Sequence, residues 1–228
     1  MGLRRTSRRI WAALKERRET SAAPKDRVLI CGTGRAGTTL LMRIFTNLGL
    51  DTQVTREEIA EVEQNVGRAG LEKTISRETA KGLPEIIKTP LVVDVLDDAL
   101  TTGWLRIAHA IIPVRELSQA AASRVSVRER AIGQGMDPRG APGGLWKTED
   151  PDQQEAALAM QFYKVVEILV AHKVPITFVS FPRFAKDPDY FADVMGGFFR
   201  NRYHISPKAL LNAHRAESKP ALIGEHRK

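Results

Sequence analysis

A glycine-rich loop follows the first apolar segment of the chain, and its residue types suit the binding of an oxyanion. The segment Arg27–Cys31 reads as a strand, the sequence GTGRAG follows it, and an amphipathic helix begins near Gly37. Glycines allow backbone amides to turn toward one point, and a helix N-terminus adds unpaired N–H groups and a positive dipole end. This order of strand, loop and helix predicts a site for a phosphate or a sulfate group.

Side chains in the loop add further groups that bind anions. Arg35 supplies a planar guanidinium, which suits a tetrahedral oxyanion, and Thr38 supplies a hydroxyl in the first helical turn. The predicted binding segment consists of Gly34, Arg35, Ala36, Gly37, Thr38 and Thr39. An ATP-binding loop would have a lysine in place of Thr38, and a dinucleotide loop would not have a bulky arginine after its second glycine. Both patterns therefore fit this loop less well.

Basic residues also follow two later strands. Lys88 ends the segment EIIK, and Arg115 follows the apolar segment Ile107–Val114. In an open parallel sheet ligands bind beyond the carboxyl ends of the strands, so both side chains are expected near the glycine-rich loop. Ser123 comes eight residues after Arg115, about two helical turns on, and the pair can bind one phosphate. This spacing predicts a ligand with two separated anionic groups.

The loop and the arginine–serine pair together resemble the sulfotransferase family, whose donor is 3′-phosphoadenosine 5′-phosphosulfate (PAPS). The segment GTGRAGTT is similar to that family's loop for the 5′-phosphosulfate, and VRELSQAAAS has its spacing for the 3′-phosphate. The resemblance covers residues 28–124 and implies that Arg115 and Ser123 bind the 3′-phosphate. It also implies that Lys88 lies near the transferred sulfuryl group. Arg35 and Lys88 are expected to neutralise the negative charge that develops on the bridging oxygen during transfer. No metal is required.

The resemblance departs from the family pattern at the general base. Cytosolic members have a histidine where this chain has Pro90, whereas other branches use a glutamate further along the chain, beyond the loop. Glu57 and Glu58 follow Gly37 by 20 and 21 residues and are the predicted bases. Trp146 is the candidate for contact with adenine.

Apolar segments and helical segments alternate along most of the chain. The predicted strands are Arg27–Cys31, Asp51–Thr55, Glu85–Lys88, Ile107–Val114 and VPITFVSF. Helices are predicted at 37–48, 56–66, 91–100, 117–130, 150–172 and 187–199. This alternation indicates an α/β fold with a central parallel sheet. Together with the resemblance it predicts a three-layer α/β/α arrangement with the P-loop NTPase-like topology of the sulfotransferases, in one domain over residues 25–228.

Residues 1–24 are predicted to be a basic extension of this domain. Seven cations lie in its first 20 residues, and four apolar residues would share one side of a helix there. Such a segment can rest on an anionic membrane surface. The chain has no apolar run long enough to span a bilayer. We therefore expect a cytoplasmic protein whose extension is solvated, with peripheral association with an anionic membrane as the alternative.

Composition excludes some classes of protein. A single cysteine, Cys31, excludes an intramolecular disulfide framework and a cysteine-based zinc cluster. The formal net charge of +8 fits an anionic ligand. The sequence has no known nucleic-acid-binding motif, so no nucleic-acid partner is expected.

Several functions remain open from the sequence. The favoured one is transfer of a sulfuryl group from PAPS to a hydroxyl or amine of a small molecule, a glycan or a lipid. The Gly/Pro-rich segment Gly133–Gly144 is predicted to border the acceptor. The alternatives are a divergent P-loop kinase that uses ATP and magnesium, and a non-catalytic basic module that binds a membrane or nucleic acid.

Overall fold

The computed structural model describes residues 24–219, apart from the side chain of Leu91. Four strands occur among these residues and form one sheet in which all strands are parallel. They are β1 (Asp26–Ile30), β2 (Ile86–Lys88), β3 (Arg106–Val114) and β4 (Ile176–Ser180), in the order β2-β1-β3-β4 across the sheet. The predicted α/β fold with a parallel sheet is confirmed. The extension at residues 1–24 lies outside the described residues except for its last residue.

Eight α-helices occur in the part of the chain that the structure describes. They are α1 (Thr38–Asn47), α2 (Arg56–Gln64), α3 (Leu96–Thr101), α4 (Leu117–Gly133), α5 (Gln154–Ala171), α6 (Arg183–Lys186), α7 (Pro188–Tyr203) and α8 (Pro207–Glu217). None of these described helices is long and apolar enough to cross a membrane.

The central strand β1 contributes to an apolar cluster on each face of the sheet, because successive side chains in a strand point to opposite faces. Val28 and Ile30 belong to a cluster with residues of α1, α7 and α8. Leu29 and Cys31 belong to a second cluster with residues of α3 and α5. Cys31 is fully buried, and burial raises the pKa of its thiol to about 12, so it is a packing residue. Helices on both faces are compatible with three layers.

The register of the sheet brings the predicted site residues to one edge. Ile30 at the end of β1 pairs with Lys88 at the end of β2. On its other side Ile30 pairs with Ile111 of β3, a strand that ends just before Arg115. The glycine-rich loop, Lys88 and Arg115 therefore all follow the carboxyl ends of neighbouring strands.

The segment Asp51–Thr55 does not form the predicted strand. Gln53 has a φ of 49°, a left-handed conformation that interrupts an extended chain. The backbone contact of this segment with the sheet is a hydrogen bond of 2.9 Å from the Ile86 N–H to the Asp51 carbonyl.

Two helical segments also differ from the prediction. The predicted helix at 91–100 begins as a 3₁₀ helix at Pro90–Asp94 and becomes α3 only at Leu96–Thr101. The chain after residue 203, for which no helix is predicted, forms α8. Ser206 caps this helix by accepting a hydrogen bond of 3.2 Å from the Ala209 N–H, and Leu210 is buried against the first cluster.

Candidate functional site

The glycine-rich loop passes through three left-handed conformations before α1 begins. Gly34, Arg35 and Gly37 have φ angles of 67°, 53° and 85°. No side chain among residues 24–219 caps the first turn of α1. The N–H groups of that turn therefore point toward the loop without a capping acceptor, as in sites that bind phosphate or sulfate. The left-handed conformation of Arg35 costs roughly 1–3 kcal/mol, and such strain is concentrated at functional sites.

Two of the loop glycines are required by space as well as by conformation. A Cβ atom at Gly37 would lie 2.7 Å from the ring of Phe181 and 2.8 Å from the ring of Phe184. A Cβ atom at Gly34 would lie 2.6 Å from a guanidinium nitrogen of Arg124. The loop is packed tightly against its surroundings.

The side chain of Arg35 reaches the second predicted anion site. Its Nε donates a hydrogen bond of 3.1 Å to Ser123 Oγ, and its Nη1 donates to the Gly67 carbonyl. Burial, and to a smaller extent the guanidinium groups of Arg130, Arg115 and Arg68, together lower the pKa of Arg35 to about 10. The mutual repulsion of these cations favours an anion in their midst.

Arg115 is joined directly to the loop. Its Nη1 donates a hydrogen bond of 3.0 Å to the backbone carbonyl of Arg35, and its guanidinium lies 5.2 Å from the ring centroid of Phe181. Arg115 is 8% exposed and Ser123 is 2% exposed. The structure therefore brings the loop, Arg115 and Ser123 together as the sequence spacing predicts.

Lys88 is the last residue of β2, and its side chain reaches the start of α1. Its Nζ donates hydrogen bonds of 3.2 Å to Thr39 Oγ1 and 2.8 Å to Glu72 Oε1, and it also donates to the Gly70 carbonyl. The side chain is 1% exposed, and burial lowers the pKa of Lys88 more than its ion pair with Glu72 raises it. A buried ammonium with this environment is suited to stabilising negative charge that develops beside it.

These groups line one cavity of about 670 Å³, which is within the usual range for sites that bind small molecules. Of the predicted binding residues, Ala36 alone is not exposed to the cavity, because it is fully buried. Nine basic side chains of the described residues line the cavity: Arg35, Arg43, Arg68, Lys88, Arg115, Arg124, Arg130, Arg139 and Lys219. Three acidic side chains from the same part of the chain line it: Glu63, Glu72 and Glu217. The cavity is strongly cationic.

The three carboxylates of the cavity are already engaged in ion pairs. Glu72 pairs with Lys88 at 2.8 Å. Glu63 pairs with Arg43 at 2.9 Å and with a lysine at the end of the described chain. Glu217 pairs with Arg43 at 3.0 Å. Arg35, by contrast, has only neutral hydrogen-bond partners among the described residues.

The two glutamates predicted as bases do not line the cavity. Glu58 forms a capping box with Thr55, in which each residue accepts a hydrogen bond from the backbone of the other. Glu57 is exposed in the first turn of α2, where backbone and Thr55 hydrogen bonds lower its pKa. Within the described residues, Glu72 is the carboxylate that contacts Lys88.

Sequence reasoning overlooked Arg124, although it follows Ser123 directly. This arginine is 5% exposed and donates hydrogen bonds of 2.6 Å to the Gly144 carbonyl and 2.7 Å to the Thr33 carbonyl. Its guanidinium lies 5.5 Å from the ring centroid of Trp146. Arg124 thus ties the glycine-rich loop to the long loop after α4, and Trp146 lines the cavity at this junction. Arg124 lies within a predicted helix, and nothing in the sequence around it indicates that it connects two loops.

Comparisons with known proteins give this chain no relatives. No family model matches it, and neither a curated protein nor a solved structure does.

Proposed function

We propose that the protein is a sulfotransferase that moves a sulfuryl group from PAPS to a hydroxyl of an acceptor. One observation carries this proposal, namely that the glycine-rich loop and the Arg115–Ser123 pair line a single cavity and are linked through Arg35. A ligand with two anionic groups can contact both. The parallel sheet with helices on both faces is compatible with the P-loop NTPase-like topology of the sulfotransferases.

In this proposal the loop amides and the hydroxyls of Thr38 and Thr39 bind the 5′-phosphate of the donor. Arg115 and Ser123 bind the 3′-phosphate. Arg35 lies between the two groups and can donate to either, because its hydrogen-bond partners are a hydroxyl and a carbonyl. The positive charge of the cavity suits such a ligand, because a buried guanidinium group with neutral partners forms a stronger, charge-assisted hydrogen bond with an anion.

The transfer step exchanges one S–O bond for another. The acceptor oxygen attacks sulfur, the bond from sulfur to the bridging oxygen breaks, and adenosine 3′,5′-bisphosphate leaves with that electron pair. The acceptor proton passes to a base. Lys88 neutralises the charge that grows on the bridging oxygen, with help from Arg35. As in phosphoryl transfer, alignment and fixed charges provide the catalysis, and these cations take the place of a metal ion.

We assign the base to Glu72 because of its position. Its carboxylate is 33% exposed, lines the cavity and lies 2.8 Å from Lys88, beside the predicted place of transfer. A base must lie within hydrogen-bond reach of the proton that it removes. Glu57 and Glu58, the bases predicted from the sequence, lie away from this lysine on the exposed start of α2.

Thermal unfolding with and without nucleotides tests the proposal against the kinase alternative. Adenosine 3′,5′-bisphosphate at about one hundred times its Kd should raise the Tm by about 5–10 °C, because it binds only the folded chain. ATP with magnesium should give a smaller shift at the same concentration. A larger shift with ATP and magnesium would favour a kinase, and no shift with either nucleotide would favour a non-catalytic module.

A further inference from the structure

Among the basic side chains of the cavity that are not assigned to the donor, two are exposed arginines without an ion pair in the described chain. Arg68 lies in the turn after α2 and Arg130 lies near the end of α4, and both line the cavity with exposed side chains. Neither forms an ion pair with a carboxylate among residues 24–219. The cavity therefore presents more positive charge than the four donor-binding side chains Arg35, Lys88, Arg115 and Ser123 account for.

The side chain of Arg130 runs back along α4, in the direction of the donor site. Its Nε donates a hydrogen bond of 3.2 Å to the Ser126 carbonyl, one turn earlier in α4. Ser126 itself lines the cavity, and Ser123 precedes it by three residues on the same side of the helix. The guanidinium of Arg130 is thus directed back toward the cavity.

Arg68 is presented by a turn that is fixed in place. Arg68 has a φ of 46°, and Asn65 Oδ1 stabilises the turn by accepting hydrogen bonds of 3.1 Å from the Gly67 N–H and 3.2 Å from the Ala69 N–H. The Gly67 carbonyl accepts a hydrogen bond from Arg35. The Gly70 carbonyl accepts one from Lys88. The turn is therefore attached to Arg35 of the glycine-rich loop and to Lys88 at the end of β2.

The carboxylates of the cavity do not neutralise this pair of arginines. Glu72 is paired with Lys88, and Glu63 and Glu217 are paired with Arg43. Arg68 and Arg130 are close enough to Arg35 for their charges to act on it. Part of the repulsion among these arginines would remain when only the donor is bound. A second anion beside Arg68 and Arg130 would reduce it.

We infer that Arg68 and Arg130 form an acceptor subsite for the carboxylate or sulfate group of an acidic oligosaccharide. This inference rests on the proposed function, because it takes the reacting hydroxyl to lie beside Lys88. A uronic acid carries a carboxylate and hydroxyls on one ring, so a single cavity can contact both. In most acidic peptides these groups lie on separate flexible side chains, so a sugar ring, which holds them in a fixed arrangement, loses less conformational entropy on binding.

Calorimetry on the full chain at fixed salt tests the subsite with two ligands. The acceptor probe is a hyaluronan tetrasaccharide, compared with the same tetrasaccharide after reduction of its carboxylates to alcohols. The donor probe is adenosine 3′,5′-bisphosphate. The variant is Arg68→Gln/Arg130→Gln. Its matched control is Arg77→Gln/Arg200→Gln, which removes the same charge from exposed residues outside the cavity.

The acidic tetrasaccharide should bind the unaltered chain about tenfold or more tightly than the reduced one, as charge-assisted hydrogen bonds require. Arg68→Gln/Arg130→Gln should remove that advantage, and it should lower the affinity for the bisphosphate less than the affinity for the acidic tetrasaccharide, because the two arginines act on the donor site only at a distance. The control should change neither affinity.

Three results would overturn the subsite. They are equal binding of the two tetrasaccharides, an unchanged preference in Arg68→Gln/Arg130→Gln, and an equal loss in the control variant. Tighter binding of an acidic tetrapeptide than of the tetrasaccharide would overturn the assignment to an oligosaccharide. If the bisphosphate does not bind but the carboxylate preference still depends on Arg68 and Arg130, the anion subsite stands and the proposed function fails.

Discussion

At the scale of single residues, the proposed chemistry depends most on the buried ammonium of Lys88. Its hydrogen bonds to Thr39 and Glu72 connect the start of α1 with the carboxylate assigned as the base. Desolvation favours the neutral amine, whereas the Glu72 carboxylate favours the charged form, and the net effect is a lowered pKa. Lys88 therefore loses its proton at a lower pH than an ordinary lysine.

The alkaline limb of the activity profile should report this titration. The transfer rate should fall as the pH rises through the lowered pKa of Lys88, because the neutral amine cannot stabilise the leaving oxygen. Lys88→Arg should move the fall to higher pH, since a guanidinium keeps its proton in this range. Initial rates of labelled sulfate transfer, measured over the pH range below the ordinary lysine pKa of about 10.4, report the position of this limb. The exposed control Lys164→Arg, on α5 and outside the cavity, should leave the limb in place, and an unmoved limb in Lys88→Arg would contradict the assignment.

The identity of the base gives a second prediction at this scale. Glu72→Gln should lower kcat by roughly 10²–10⁴-fold, the usual contribution of a general base. The Kd for adenosine 3′,5′-bisphosphate should change little, because glutamine can still accept a hydrogen bond from Lys88. Single-turnover rates and calorimetry separate the two effects. Glu57→Gln and Glu58→Gln are the matched controls, and a loss of turnover in either with a normal rate in Glu72→Gln would restore the assignment made from the sequence.

At the scale of secondary-structure elements, α8 closes one side of the cavity through a buried carboxylate. Glu217 accepts hydrogen bonds from Arg43 Nε at 3.0 Å, Asn47 Nδ2 at 2.9 Å and Arg56 Nη1 at 3.0 Å. These donors belong to α1 and α2, so one side chain connects three helices. Burial by itself would raise the pKa of Glu217, but these hydrogen bonds outweigh burial and lower it.

Removal of this charge should destabilise the chain in a pH-dependent way. Glu217→Gln should lower the free energy of unfolding at pH 7 by about 1–3 kcal/mol, because it leaves buried donors poorly paired. The carboxylate of Glu217 has a lower pKa when folded, so its stabilisation is present above the ordinary value of 4.5 and is lost as the pH falls through the folded pKa. Urea unfolding at neutral and acidic pH measures this. The exposed control Glu167→Gln should show no loss, and an equal loss at both pH values would contradict the role of the charge.

The strands and helices differ in how well the sequence predicts them. Strands β1, β3 and β4 were predictable because their apolar runs are bounded by polar residues or glycine. Residues 51–55 alternate like a strand, but the left-handed Gln53 prevents pairing, and no short pattern reveals such a residue. Helix α8 is amphipathic but polar on average, and its burial depends on contacts with α1 that are distant in sequence.

At the scale of the whole molecule, the sheet explains why part of the site was predictable. The loop, Lys88 and Arg115 end neighbouring parallel strands, so their proximity follows from topology. Glu72 and Arg68 lie in irregular segments whose positions depend on hydrogen bonds to Lys88 and Arg35. Such contacts leave no periodic signal in the sequence, so Glu72 was not among the glutamates that the sequence predicted as bases.

We propose that one cavity binds both phosphates of a single nucleotide, and calorimetry can test this binding directly. Adenosine 3′,5′-bisphosphate should bind the unaltered chain about tenfold or more tightly than adenosine 5′-monophosphate, because Arg115 and Ser123 contact only the 3′-phosphate. Arg115→Ala and Ser123→Ala should each reduce that advantage, whereas Arg183→Ala, which lies outside the cavity, should not. Equal affinity of the unaltered chain for the two nucleotides would contradict the claim.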